Sequence, residues 1–334
     1  MIFVTGGTGL VGSHVLLKLA KEGIPFKALK RDTSSFQISE NVFSHYRAKD
    51  LFAKISWQTG DVNDIPALEK AMEGCSRVLH CAAVVSFHPA EAELMRKVNV
   101  EGTANVVNVA LSKGIKKLGY ISSIAALGRN STVGIVDEEC YFKATKLESN
   151  YALSKYYAEQ EVWRASQEGL DVVIVNPSVI LGPGDWNKGS SQIFQKIHSG
   201  LTFYTSGSTG YVDVLDVANS LVALLLSSVK NERFIVNGTN LKYRDCFDRI
   251  AIALGKPKAT IKVTPFLKEL AWRLEAIRSF ITSKKPLLTK ETANSAMTDG
   301  AYSTEKIKKE IDFQFTPIEQ TIKKYCDWFI ADLK

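Results

Sequence analysis

Met1-Ile2-Phe3-Val4-Thr5-Gly6-Gly7-Thr8-Gly9-Leu10-Val11-Gly12 is the stretch whose reading decides the fold. The apolar run from Ile2 reads as a short buried strand. Glycines follow at 6, 9 and 12, and an amphipathic run from Leu10 to Ala20 closes at Glu22-Gly23. Strand, glycine turn and helix in that order are the context in which such glycines bind a dinucleotide. Gly6 suits the tight turn out of the strand. Gly9 suits a close backbone approach to a pyrophosphate, and Gly12 close packing of helix on strand. The helix start, Thr8 through Leu10 and Val11, offers N–H groups and a positive dipole end to the phosphates. The spacing is G-x-x-G-x-x-G rather than the commoner G-x-G-x-x-G.

Further strands follow at regular intervals. Phe26-Lys27-Ala28-Leu29 is a second strand and ends at Lys30-Arg31-Asp32. An acidic residue at that end would bind the ribose hydroxyls of NAD, whereas a basic one would accept the 2′-phosphate of NADP. Lys30 and Arg31 come first here, and an arginine can fork around a phosphate, so NADP(H) is expected over NAD(H). Residues 33–54 lack a clear period and read as loop or short helix. Ile55-Ser56-Trp57-Gln58-Thr59 is a third strand, followed by Gly60-Asp61-Val62. Asp61 could accept from the adenine amino group or cap the next helix, for which Asp64 is the better cap. Arg77 to Ala83 is a fourth strand whose small residues Cys81, Ala82 and Ala83 would let a flat cofactor lie against its end. His80 reads as a packed strand residue. In the loop Ser86-Phe87-His88-Pro89, His88 is a weak candidate for substrate contact.

A long helix from Glu91 to Ser112 holds Asn99, whose role stays open. Lys117 to Ser122 is a fifth strand and delivers Ser122-Ser123. A helix opening near Asn150 carries Tyr151 and Lys155, and Leu170 to Asn176 is a sixth strand, followed by Pro177. Alternating strands and helices predict an α/β, Rossmann-type doubly wound parallel sheet. Right-handed crossovers bring Asp61, Ala82, Ser123 and Asn176 to one sheet edge, where ligands bind. Arg233-Phe234-Ile235-Val236 reads as a strand returning to that sheet.

Tyr151 and Lys155 are four apart on a helix and share a face. An ammonium beside a phenol lowers its pKa, which suits a proton donor or acceptor near neutral pH. Ser123, at a neighbouring strand end, could hydrogen-bond a substrate carbonyl beside that tyrosine. Farther on, Phe266, Leu270, Leu274, Ile277 and Ile281 recur at helical spacing. They are expected to roof an apolar substrate pocket or pack on a partner, though an ordinary amphipathic helix gives the same stripe.

The 334 residues carry 42 basic and 35 acidic side chains, a net charge of +7 without a dense basic run, so nucleic acid is not expected as a partner. Five scattered cysteines, Cys75, Cys81, Cys140, Cys246 and Cys326, suggest neither a metal site nor a disulfide framework, and fit a reducing, cytoplasmic compartment. The first core strand begins at residue 2, which leaves no room for a signal peptide before it, and no apolar stretch is long enough to span a membrane.

Taken together, these motifs make the chain resemble an extended short-chain dehydrogenase/reductase almost end to end. The marks are Thr5-Gly6-x-x-Gly9-x-x-Gly12, Gly60-Asp61-Val62, His80-x-Ala82-Ala83, Asn99-Val100-x-Gly102-Thr103, Ser122-Ser123, Tyr151-x-x-x-Lys155, Gly182-Pro183-Gly184 and Val212-Asp213-Val214-x-Asp216-Val217-Ala218. Lys30-Arg31-Asp32 and Asn176-Pro177-Ser178 lean toward the dihydroflavonol reductase and cinnamoyl-CoA reductase branch, and the 3β-hydroxysteroid dehydrogenases are similar too. The resemblance implies that Tyr151 is the acid/base and that Lys155 holds the nicotinamide ribose and lowers the pKa of Tyr151. It implies further that Ser123 polarises the carbonyl, with Ser122 the lesser candidate, and that Asn176 and Pro177 present backbone to the nicotinamide amide. Residues 1–177 would form the dinucleotide-binding domain, with 213–237 returning to it. Residues 178–212 and 238–310 would form a smaller substrate lobe and 311–334 a C-terminal helix. The expected activity is NADP-dependent hydride transfer with a small-molecule carbonyl or alcohol, apolar in character, and a homodimer stays open. The alternatives are a nucleotide-sugar epimerase or dehydratase on the same fold, and an NADP-sensing protein without activity.

Overall fold

Seven parallel strands form the central sheet in the computed structural model, which describes residues 1–128, 134–145, 148–282 and 290–333. In chain order the first half runs β1 (Ile2–Thr5), α1 (Leu10–Lys21), β2 (Phe26–Lys30), α2 (Gln37–His45), α3 (Lys49–Phe52), β3 (Ser56–Thr59), α4 (Ile65–Ala71) and β4 (Arg77–His80). Then come α5 (Ala92–Met95), α6 (Gly102–Ser112), β5 (Lys117–Ile121), α7 (Asn150–Gln167) and β6 (Asp171–Pro177). The second half holds β7 (Val179–Leu181), α8 (Gln192–His198), β8 (Phe203–Tyr204), β9 (Ser208–Asp213), α9 (Val214–Leu226), β10 (Glu232–Val236), β11 (Thr239–Lys242), α10 (Tyr243–Ala253), β12 (Ile261–Lys262), α11 (Pro265–Thr282), α12 (Lys290–Ser295), α13 (Glu305–Ile311) and α14 (Ile318–Asp332).

The strand order is β10-β6-β5-β4-β1-β2-β3, so the order reverses between β1 and β4. That switch point is where doubly wound sheets bind ligands, beyond the carboxyl ends of the strands. Successive strand residues face opposite layers. Val4, Val173 and Val175 pack with α1 and α9 through Val15, Leu16, Leu221 and Leu225. Phe3, Val172 and Ile174 pack with α4, α6 and α7 through Leu68, Val106, Ala158 and Val162. The strand read at 233–236 is β10, parallel to β6.

A third core joins α8, α10 and α14 over β7 and β9, centred on Phe194, Tyr211, Ile250, Tyr325 and Phe329. Buried Asp213 fastens it. Its carboxylate caps α9 by accepting from Leu215 N and also accepts from Thr321 Oγ1 at 2.9 Å and Tyr325 Oη at 2.7 Å. Asp216 accepts from the Thr316 backbone N–H and hydroxyl. These two family marks are therefore structural fasteners.

The helix expected from Glu91 to Ser112 is not uniform. A short 3₁₀ turn (Pro89–Glu91) and α5 lead into a π-helical segment (Arg96–Glu101), and α6 resumes the regular period. The cause is tertiary. Asn99 is pulled inward to accept from Val84 N at 2.7 Å and to donate to Val84 O at 2.9 Å and Ser154 Oγ at 3.0 Å. An extra residue in one turn is how a helix re-aims such a side chain, and π segments recur at functional sites.

On α11, Phe266, Leu270 and Leu274 are exposed at 79%, 43% and 56%. The expected apolar row exists on the helix to that extent; the side chains of Ile277 and Ile281 lie outside the described residues. Among the described residues no helix is long and apolar enough to cross a membrane.

Candidate active site

The glycine turn has the geometry that a bound diphosphate needs. Gly6 adopts φ +71°, and a Cβ there would lie 2.5 Å from Ala82 N. A Cβ on Gly12 would lie 2.0 Å from Gly6 O, so helix and turn touch backbone to backbone. Gly9 differs: a Cβ there would meet nothing but Gly6 O at 3.4 Å, an ordinary contact. Its outer side is open. Gly9 is also the N-cap of α1, and no side chain caps the helix. Leu10 and Val11 therefore start a twelve-residue helix whose first N–H groups have no side-chain acceptor, the arrangement that receives an anion. A dinucleotide fits these residues.

At the far edge Lys30 closes β2, and its carbonyl accepts from Gly60 N at 2.9 Å, which holds the Asp61-Val62 turn beside it. Lys30 Nζ sits 5.4 Å from the centre of the Phe36 ring, and Arg31 is exposed. Neither side chain pairs with a carboxylate among the described residues. Asp61 accepts from Asn63 N and Nδ2, while Asp64 caps α4 by accepting from Ala67 N. Cys81, Ala82 and Ala83 leave β4 beside Gly6. Burial pushes the Cys81 thiol up to about 12, with Lys155 pulling the other way, so it is a neutral wall.

The Ser123 hydroxyl lies beside the Tyr151 phenol. Ser123 ends the β5 segment, 8% exposed, and Tyr151 lies in the first turn of α7, which Ser149 caps by accepting from Ala152 N. Burial raises the Tyr151 pKa, and the neighbouring Ser123 hydroxyl offsets this in part. The lowering expected from Lys155 is absent here. Lys155 points instead to the strand, where Nζ donates to Tyr120 Oη at 2.8 Å and Ile121 O at 2.7 Å. Burial pulls the Lys155 ammonium down to about 7 against the attraction of Glu159.

Ser122 faces the other way and donates to Glu159 Oε2 at 2.6 Å. The same oxygen accepts from Asn176 Nδ2 at 2.9 Å, and that amide also donates to Ser123 O at 3.0 Å. The Asn176 amide nitrogen is thus spent on the scaffold while its Oδ1 is buried without a partner among the described residues, and Pro177 beside it is buried in β6. Glu159 Oε1 pairs with Arg233 of β10 at 3.3 Å. Sequence reasoning missed Glu159, although its spacing from Lys155 repeats that of Lys155 from Tyr151. It also missed Phe87, whose ring packs edge-on to Tyr151 at 5.6 Å and is 42% exposed. His88 caps the 3₁₀ turn by accepting from Ala90 N. His80 is buried between Thr5 and Thr103, a packed strand residue.

One sheet edge therefore carries the glycine turn, a buried phenol beside a serine, and a lysine one turn along. Residues 2–237 match the NAD dependent epimerase/dehydratase family. A protein of Synechocystis sp. provisionally named dihydroflavonol 4-reductase is 29% identical over 98% of this chain and 94% of its own length. UDP-glucose 4-epimerase of Vibrio cholerae is also 29% identical, over 78% of each chain. A crystal structure named gox2253, 29% identical, superposes with a TM-score of 0.82 over 99% of this chain and 98% of that one. The glycine cradle and the family match lead to one conclusion: the chain belongs to the NAD dependent epimerase/dehydratase family.

Proposed function

We propose that this protein is an NADP(H)-dependent oxidoreductase that interconverts an apolar carbonyl compound and its alcohol, with Tyr151 as the acid/base. The observation that carries this is the juxtaposition of Ser123 and the buried Tyr151 phenol, with Lys155 one turn farther on α7. When bound, the nicotinamide supplies or takes the hydride. The chain's own residues do the rest. Ser123 donates to the substrate oxygen and polarises the carbonyl. Tyr151, kept neutral by burial, holds a proton that it can give to that oxygen as negative charge develops. Phe87 offers an apolar face beside the reacting oxygen, which favours an aryl or alkyl carbonyl over a sugar nucleotide. Lys155, one turn along α7 from Tyr151, would hold the nicotinamide ribose. Asn99 fixes α7 through Ser154, and Asn176 fixes the strand end at Ser123. Lys30 and Arg31 would hold the 2′-phosphate, with the α1 N-terminus on the diphosphate.

A second reading is a nucleotide-sugar epimerase, favoured by the Vibrio cholerae relative. One experiment separates the two. Purified protein is denatured and the released nucleotide identified, and NADPH oxidation is then screened against ketones, aldehydes, acyl-CoA esters and UDP-sugars. Freely exchanging NADP(H) and carbonyl-dependent oxidation are expected. Retained NAD with UDP-sugar turnover would establish the epimerase.

A further inference from the structure

Tyr120 occupies a strand position that chemistry would fill with a hydrocarbon. Every residue of β5 is buried, and Tyr120 is 1% exposed in a layer whose other buried side chains are aliphatic apart from Phe3 and Met72. A buried phenol needs a hydrogen-bond partner, and this one meets a cation. Lys155 Nζ lies 2.8 Å from Tyr120 Oη and 4.5 Å from the ring centre. The second inner partner, Ile121 O, is main chain and would be present with any residue at 120.

The hydroxyl is oriented by what lies behind it. Thr103 donates to Asn99 O, within the turn that the π segment creates. With its proton committed, the Thr103 oxygen accepts from His80 Nε2 at 2.9 Å, and the Tyr120 phenol lies beside it. His80 Nδ1 in turn accepts from the Thr5 hydroxyl at 2.6 Å, and Thr5 Oγ1 accepts from Ala82 N. This is one consistent set of protons. A phenol proton turned toward Thr103 leaves a Tyr120 oxygen lone pair for the ammonium, which donates to it at 2.8 Å.

We propose that Tyr120 is the positioning residue of Lys155, its phenol oxygen holding the buried ammonium in place and keeping it protonated. The inference rests on the proposed function in one respect: Lys155 must serve a bound dinucleotide. The titratable groups that face Lys155 come from three elements. Tyr120 is on β5, His80 and Cys81 are at β4 and its end, and Tyr151 and Glu159 are on α7. Burial holds His80 neutral, down to about 3, and the Cys81 thiol neutral. The Glu159 carboxylate is shared with Arg233, Ser122 and Asn176. Tyr120 is the side chain among them recorded in direct hydrogen bond with Nζ.

The test is NADPH affinity, read by fluorescence titration from about pH 6 to about pH 9 for the parent, Tyr120→Phe and Thr103→Val. Tyr120→Phe removes a single oxygen. It is expected to weaken NADPH binding about tenfold near neutral pH, the loss of a hydrogen bond to a charged group. The gap should narrow to about twofold near pH 6, because the variant's affinity begins to fall about one pH unit below the parent's. Thr103→Val, isosteric and remote from Nζ, should move the fall the same way by less, and it decides the matter if Tyr120→Phe does not fold. Loosened packing would weaken binding equally at all pH values. That result, or profiles in both variants that match the parent's, would overturn the role of Tyr120. A parent that binds NADPH at no pH would instead overturn the function on which the inference rests.

Discussion

Gly12 and Gly6 are in backbone contact: a Cβ on residue 12 would lie 2.0 Å from the Gly6 carbonyl oxygen. Nothing flexible is there to give way, so Gly12→Ala must push α1 off the turn. A destabilisation of about 1–3 kcal/mol and loss of dinucleotide binding are expected, measured by thermal unfolding and NADPH titration. Gly9→Ala is the control. Its φ of −95° suits any residue and its Cβ would make one ordinary contact, with Gly6 O at 3.4 Å. It should melt like the parent yet bind NADPH less tightly, because the methyl group occupies the side from which a diphosphate approaches.

Cofactor choice is predicted from the end of β2. Arg31→Ser should weaken NADPH binding roughly ten- to a hundred-fold, the cost of about 1.5–3 kcal/mol for a charged hydrogen bond, and leave NADH nearly unchanged. Lys30→Ser should act in the same direction by less, since Lys30 is partly engaged over Phe36. Equal affinities of the parent for NADPH and NADH would contradict this assignment.

His14 in α1 is buried, its ring nitrogen 2.8 Å from Leu10 O, and desolvation lowers its pKa from 6.5 to about 4. Between those values the unfolded chain binds the proton and the folded chain does not, so His14 subtracts stability as pH falls from 6.5 to about 4. Relative to His14→Gln, the parent should lose of the order of a few kcal/mol across that window and none above it. Chemical denaturation of both proteins at several pH values measures the difference, and a constant difference would contradict the burial of a neutral imidazole.

The glycine turn, the strand-helix alternation and the sheet edge could be read from residues 1–12 and the strand spacing, because turn geometry and periodicity are local. The return of β10 to the sheet was legible for the same reason. The π segment was not: Arg96–Glu101 has ordinary helical composition, and its cause is Val84, fifteen residues from Asn99. That bond also supplies the role that sequence left open for Asn99. The two serines could not be told apart by composition, and the structure turns Ser122 to Glu159 and Ser123 to Tyr151. The expected effect of Lys155 on Tyr151 failed because helical spacing places two residues on one face without saying where a long side chain ends. Lys155 Nζ ends on Tyr120 and Ile121, and burial sets the Tyr151 pKa.

Tyr151→Phe removes the one oxygen assigned to proton transfer and leaves the ring against Phe87. Steady-state NADPH oxidation with a carbonyl compound that the parent reduces, paired with NADPH titration of the same preparations, measures both consequences. Turnover should fall about 10²- to 10⁴-fold while NADPH affinity stays within about twofold of the parent. Parental turnover in the variant would contradict Tyr151 as the acid/base.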